Sequence, residues 1–232
     1  SAVTVVASGD APSWRIRLPE RAQGGTLAGG DQFGFSVSLA DIRLAVGAPF
    51  ASGNPLAGGA ADSGVVYLIA FGDLAFNGGA VSGILGSGFS GPASLDVTNL
   101  EVLDGFGSSV SLNGDRLAVG ALADNGAGNG VMDAGAVYLF SFADTSFGSP
   151  VLEARVGRDY TGFKNVSVAL EANDVFGTSV SLAGTQLAVG TPGDDGVSGS
   201  LSDAGAVLLF TLVKLAQPEQ AQMQLGSKGA GR

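Results

Sequence analysis

Three short patterns of apolar and polar residues recur in fixed order along the chain. The first alternates toward its end: Phe33-Gly-Phe-Ser-Val-Ser-Leu39, Phe106-Gly-Ser-Ser-Val-Ser-Leu112 and Phe176-Gly-Thr-Ser-Val-Ser-Leu182 each close on an apolar, a serine and an apolar residue. That is the period of a strand with one face turned to a core. The second follows with its leucine 11 residues after the phenylalanine in every copy: Leu44-Ala-Val-Gly-Ala-Pro49, Leu117-Ala-Val-Gly-Ala-Leu122 and Leu187-Ala-Val-Gly-Thr-Pro192. Its small residues suit a crowded, tapering interior. The third is a continuous apolar run, Gly64-Val-Val-Tyr-Leu-Ile69, Gly135-Ala-Val-Tyr-Leu-Phe140 and Gly205-Ala-Val-Leu-Leu-Phe210, each introduced by an aspartate (Asp62, Asp133, Asp203). Runs of this length predict strands buried on both faces.

A looser fourth pattern reads Trp14-Arg-Ile-Arg-Leu18, Val81-Ser-Gly-Ile-Leu85, Leu152-Glu-Ala-Arg-Val156 and Gln220-Ala-Gln-Met-Gln-Leu225. Its alternation predicts an outer strand with one face in water. The spacing between copies is 73 residues from Phe33 to Phe106 and 70 from Phe106 to Phe176. The chain is therefore expected to be all-β, three tandem four-stranded antiparallel blades in a propeller-like array. The expected segments are 1–71, 72–142 and 143–213, each an outer strand plus three blade strands. Residues 214–232 then begin a further repeat or supply an exchanged terminal strand. Phe33, Phe106 and Phe176 are expected to wedge between neighbouring sheets, with the glycine after each allowing close backbone approach.

The Phe-Gly pair before the first strand, and Gly-Ala-Pro (here also Gly-Ala-Leu and Gly-Thr-Pro) after the second, resemble the FG-GAP repeat of integrin-type β-propellers. The resemblance covers roughly residues 14 to 213, and three sets of both motifs in fixed register make it specific. It implies a β-propeller of the kind found in integrin α-subunits, some fungal lectins and many secreted bacterial surface proteins. Propellers close with about four to eight blades, so three leave the ring incomplete within one chain. The chain is then a fragment of a longer propeller, part of a ring completed by other chains, or an open array. Uncapped repeat ends expose unpaired backbone and apolar surface, which predicts self-association into an oligomer or filament.

Composition narrows the chemistry. There are 39 glycines among 232 residues and only 14% are charged, as expected of tight turns between short buried strands. The net charge of −10 repels a phosphate backbone and excludes nucleic acid as a natural partner. With no cysteine and no histidine, disulfides, thiolate sites, ordinary zinc sites and Ser-His-Asp triads are all ruled out. No apolar run is long enough to span a bilayer as a helix. Beginning at Ser1 without a signal-peptide pattern, the sequence reads as a processed or excised piece of an extracellular or cell-surface protein.

The family's usual calcium loop, an Asp-x-Asp-x-Asp-Gly stretch between the first two strands, is absent. Its place is taken by the short turns 40–43, 113–116 and 183–186. Oxygen ligands gather instead in the loops between second and third strands: Asp124, Asn125, Asn129 and Asp133 in one repeat, and Asp194, Asp195, Ser198 and Asp203 in the next. A glycine-rich loop with several carboxylates can wrap calcium, which accepts six to eight oxygens in irregular geometry. The same residues also make turns by bonding their own backbone. The first repeat offers only Asn54 and Asp62. Asp31, Asp104 and Asp174, each two residues before a Phe-Gly pair, read as turn caps.

No catalytic residue is expected, because the acids recur at equivalent positions rather than forming one singular cluster. Tyr160 and Lys164 read as solvated surface in a long connector. Asn165-Val-Ser167 matches a glycosylation sequon, and Trp14 reads as packing. The connectors at about 72–100 and 143–170 are the expected contact surfaces. The function expected is a non-enzymatic extracellular module for self-assembly or adhesion, its partners being further copies, other blades, a surface protein or a glycan. A lectin-like carbohydrate-binding propeller is the alternative.

Overall fold

Each recurring pattern becomes one strand, in chain order, in every repeat. The computed structural model describes residues 4–7, 14–18, 27–162, 164–196, 199 and 201–212. A two-stranded sheet at the start pairs β1 (Thr4–Ala7) with β2 (Trp14–Arg17). The first full sheet has the order β3 (Ser36–Ala40), β4 (Arg43–Ala48), β5 (Val65–Ala70), β6 (Ala80–Gly86) and β7 (Leu95–Asp96). The second repeats it with β8 (Phe106–Asn113), β9 (Arg116–Ala121), β10 (Ala136–Ser141), β11 (Val151–Gly157) and β12 (Val166–Ser167). The third contains β13 (Ser179–Ala183), β14 (Gln186–Thr191) and β15 (Ala206–Thr211). The described residues contain no α-helix, hence none long and apolar enough to cross a membrane, and no sheet closes into a barrel.

The first two strands of each sheet meet through two-residue turns. Asp41, Gly114 and Gly184 hold positive φ at the first turn position (52°, 59° and 57°), the requirement of the type II′ hairpin. The loop to the third strand is long but stapled identically in all three repeats. The backbone N–H of Asp62, Asp133 and Asp203 donates to a side-chain oxygen of Ser52, Asn125 and Asp195 respectively. Glycine follows two residues later, its N–H donating to the carbonyls of Ala51, Asp124 and Asp194.

Two expectations change. The blade gains a fifth strand, because β7 and β12 add in parallel to β6 and β11 over two residues each. The fourth-type strand also belongs with the apolar run before it: β6 pairs antiparallel with β5, and β11 with β10. A short connection makes such a hairpin cheaper in loop entropy than a pairing with the strands that follow. Asp73 and Asp144 hold these connections by accepting backbone N–H groups from Ala75 and Asn77, and from Ser146 and Gly148. The sheets are thus offset by one strand from the segments 1–71, 72–142 and 143–213. Residues 214–232, with Gln220–Leu225, lie outside the described residues.

The connectors are likewise more structured than surface loops. They hold β6, β7, β11 and β12 and bury Phe89, Val97, Leu100, Phe147, Tyr160 and Leu170. The core lies between sheets. Ala45, Val66 and Leu68 of the first sheet pack with Phe106, Val110, Leu112 and Tyr138 of the second. Ala118, Val137 and Leu139 pack in the same way with Phe176, Leu182 and Val189 of the third. The other face of the first sheet, through Val65, Tyr67 and Ile69, packs with Phe33, Ile16 and Leu18.

Candidate functional site

The two internal junctions between sheets are near-copies of each other, down to single atoms. Ser36 Oγ donates to the carbonyl of Gly107 at 2.7 Å, and Ser109 Oγ to that of Gly177 at 2.7 Å. Leu112 N donates to Ser38 Oγ and Leu182 N to Ser111 Oγ, both at 2.9 Å. Phe106 N reaches the carbonyl of Ser63 and Phe176 N that of Ala134. Gly64 bridges Phe106, and Gly135 bridges Phe176, as isolated parallel pairs.

Glycine is needed at each of these approaches. A Cβ at Gly47 would overlap the carbonyl oxygen of Gly107, one at Gly120 that of Gly177, and one at Gly64 or Gly135 the backbone of Phe106 or Phe176. The third sheet keeps the same residues, and among the described residues nothing of another sheet lies opposite them. A Cβ at Gly190 would meet only Ser179 of its own sheet, and one at Gly205 would find its nearest atoms in Pro192 and Thr191.

The outward face of the third sheet is correspondingly exposed, and that of the first sheet is exposed along β3, while Val65, Tyr67 and Ile69 farther along it are buried. Val37 is 62% exposed whereas its counterpart Val110 is 8% exposed. Leu209 is 78% exposed and its counterpart Leu139 is 6% exposed. Phe35 and Leu39 are exposed on the first sheet, and Val207 on the third. These two faces are the candidate functional site.

A second feature, not anticipated in the sequence, is a buried polar cluster in the second repeat. Asp124 accepts hydrogen bonds from Tyr138 Oη (2.7 Å), Tyr160 Oη (2.9 Å) and the N–H of Gly126 (2.7 Å). The guanidinium of Arg155 lies over both tyrosine rings at 5.5 and 5.9 Å. Burial pushes the Asp124 carboxyl up despite these donors, and pushes the Tyr138 and Tyr160 phenols up as well. Asp104 nearby is pushed up to about 7, chiefly by burial, with the charges of Asp124 and Glu101 adding to it. Asp31, Asp104 and Asp174 each cap a turn, accepting the N–H of the residue three before (Ala28, Glu101, Glu171). The only sequence signal for the cluster was a tyrosine inside an apolar run, Tyr138, with an aspartate in the preceding loop.

The loop residues expected to bind calcium take part in hydrogen bonds of their own loops. Asp124 faces the tyrosines, while Asn125 and Asp195 accept the N–H groups of Asp133 and Asp203 as loop staples. Asn129 donates to Glu101, and Asp194 accepts the N–H of Gly196. In the first repeat Asn54 accepts the N–H of Leu56, and Asp62 pairs with Ser52. Ser198 lies outside the described residues. Among the described residues no three Asp or Glu side chains form a group that could hold a metal ion by themselves.

Tyr160 is buried rather than solvated, because the cluster gives its hydroxyl a partner. Lys164 pairs with Glu153. The side-chain amide of Asn165 is engaged, accepting from Arg155 N and donating to the carbonyl of Thr161. Trp14 lies in β2.

Comparison with curated proteins finds none that matches the chain. The family model described as the FG-GAP repeat matches residues 27–69, 100–140 and 170–210, more than half of the sequence. These are the Phe-Gly, Leu-Ala-Val-Gly and apolar-run elements of the three sheets. FG-GAP repeats are typical of extracellular proteins and generally serve as structural and binding modules rather than enzymes. This chain belongs to the FG-GAP repeat family.

Proposed function

We propose that the chain is a non-enzymatic extracellular structural and interaction module that works by self-assembly, joining through the open faces of its terminal sheets. The observation that carries this is the contrast between equivalent positions. Val37, Leu39, Val207 and Leu209 are exposed, whereas Val110, Leu112, Val137 and Leu139 are buried by a neighbouring sheet. An exposed apolar face of this kind is a contact surface, since each apolar side chain gains about 1.5–3 kcal/mol on full burial. The acids recur at repeat-equivalent positions, and histidine and cysteine are absent, so a binding role fits better than catalysis.

Sedimentation velocity over a hundredfold dilution series tests the proposal. The wild type is expected to form larger species as concentration rises, and Leu209→Asp, which puts a charge on the open face, to remain monomeric. A wild type that is monomeric at every concentration would rule out self-assembly and leave adhesion to a different partner.

A further inference from the structure

Resting on the proposal of self-assembly, we infer that chains join head to tail by strand exchange, with β15 of one copy replacing β1 beside β2 of the next.

The inference starts from register. In the second sheet Leu139 of the third strand stands opposite Ala154 of the fourth. By repeat position Leu209 corresponds to Leu139, and Ile16, the middle residue of Trp14-Arg-Ile-Arg-Leu18, corresponds to Ala154. Opposite Ile16 in this structure is Val5 of β1. So β1 occupies the place of a third strand and β2 that of a fourth, in a sheet whose first two strands are not found among the described residues in front of β3. The third sheet has the complementary lack: β13, β14 and β15 are present, and among the described residues no strand lies beyond β15. Among the described residues each end holds what the other lacks; β1 and β15 compete for β2, and Gln220–Leu225, the fourth-pattern segment that lies outside the described residues, is the chain's own candidate for the place beside β15.

The exchange favours β15. The pairing of β1 with β2 spans four residue pairs, whereas third and fourth strands in the complete sheets pair over six. Seating the third sheet of one copy on β3 of the next would also reproduce the internal junctions. Ser179 would meet the carbonyl of Gly34 as Ser109 meets Gly177, and Ser181 would accept Leu39 N as Ser111 accepts Leu182 N. Gly190 would receive the backbone that Gly120 already receives. The contact is heterologous, so it continues from copy to copy until it closes a ring or runs on as a filament.

The natural sequence has no cysteine, so introduced thiols can be assigned without ambiguity. In a Val5→Cys, Ile16→Cys chain, oxidation ties β1 to β2 and reduction frees it. The reduced chain is expected to associate like the wild type, and the oxidised chain at least tenfold more weakly. Separately, chains carrying Leu209→Cys are mixed with chains carrying Ile16→Cys. Inter-chain disulfides are expected in the mixture and not in either variant alone. Equal association of the oxidised and reduced forms, or a mixture that cross-links no better than its components, overturns the exchange while leaving self-assembly by another contact standing. Cross-linking of I16C or L209C with itself as readily as in the mixture would mean a two-fold contact and also overturns it. A wild type that stays monomeric throughout removes the self-assembly proposal and the exchange together.

Discussion

Ser109 Oγ donates a hydrogen bond to the carbonyl oxygen of Gly177 across the gap between the second and third sheets. The bond forms only because the strand behind Ser109 carries Gly120, where a side chain would overlap that same carbonyl. Gly120→Ala is therefore expected to force the sheets apart and destabilise the chain by about 1–3 kcal/mol. Gly190→Ala meets only a serine of its own sheet and should cost less than about 1 kcal/mol in the monomer. Urea unfolding of the two variants, compared with the wild type at high dilution, gives both numbers. Equal losses would mean that the carbonyl of Gly177 does not need the space.

Phe106 is fully buried between sheets and stacks edge-on against Tyr138 and Phe140. Truncating it to alanine leaves a large cavity with little freedom to collapse, and should cost roughly 3–5 kcal/mol. Phe33 holds the same position at the open end, where it is half-buried against Tyr67. Phe33→Ala should cost about 1–2 kcal/mol, because part of that ring is already in water. A loss below about 1 kcal/mol for Phe106→Ala would remove that ring from the core.

The pattern of strands was legible because each repeat presents the same periods at the same offsets: alternation in Val37 and Leu39, a continuous run in Val65–Ile69. The partner of the fourth strand was not. Alternation in Val81–Leu85 marks a strand with a wet face, but says nothing of whether it pairs with the run before it or the strands after. The parallel additions at Leu95–Asp96 and Val166–Ser167 are two residues long and leave no period to read. The Asp124 cluster was hidden for another reason. An aspartate in a glycine-rich loop looks alike whether it faces solvent or the interior, and only the fold brings Tyr160 from 36 residues away to meet it. The third run also carried no sign that Val207 and Leu209 are uncovered, since its composition matches that of the buried runs; counting the sheets was needed for that.

Burial raises Asp104 from its ordinary carboxylate value to about 7, so in this range the folded chain holds a proton that the unfolded chain releases. Stability is then fullest below about pH 4 and is lost as pH rises toward and through 7. Burial of Asp124 and Asp174 acts in the same direction. Asp104→Asn retains an oxygen to accept the N–H of Glu101 but carries no charge. It is expected to lie within about 1 kcal/mol of the wild type at pH 4.5 and to be more stable at pH 8, by at most about 4 kcal/mol. Urea unfolding at the two pH values checks this, and a variant equally destabilised at both would show that the carboxylate is ionised without penalty.

Self-assembly by this chain must also overcome its own charge. Each copy carries −10 at neutral pH, so approaching copies repel over distances where the apolar faces do not yet touch. The exposed residues of those faces, Phe35, Val37, Leu39, Val207 and Leu209, are uncharged. Salt should therefore screen the repulsion without weakening the contact itself, since the Debye length falls from about 30 Å at 0.01 M to about 10 Å at 0.1 M. Association is expected to strengthen as sodium chloride rises from 10 to 150 mM, and to strengthen further on cautious acidification toward the sequence pI of about 4.2. Leu209→Lys makes the distinction sharper. It adds an attractive charge to an acidic chain yet buries an ammonium at the junction, so it should weaken association at every salt concentration. Light scattering across the salt series measures this, and association that falls steadily with salt would place charge pairs, rather than the bare apolar faces, at the contact.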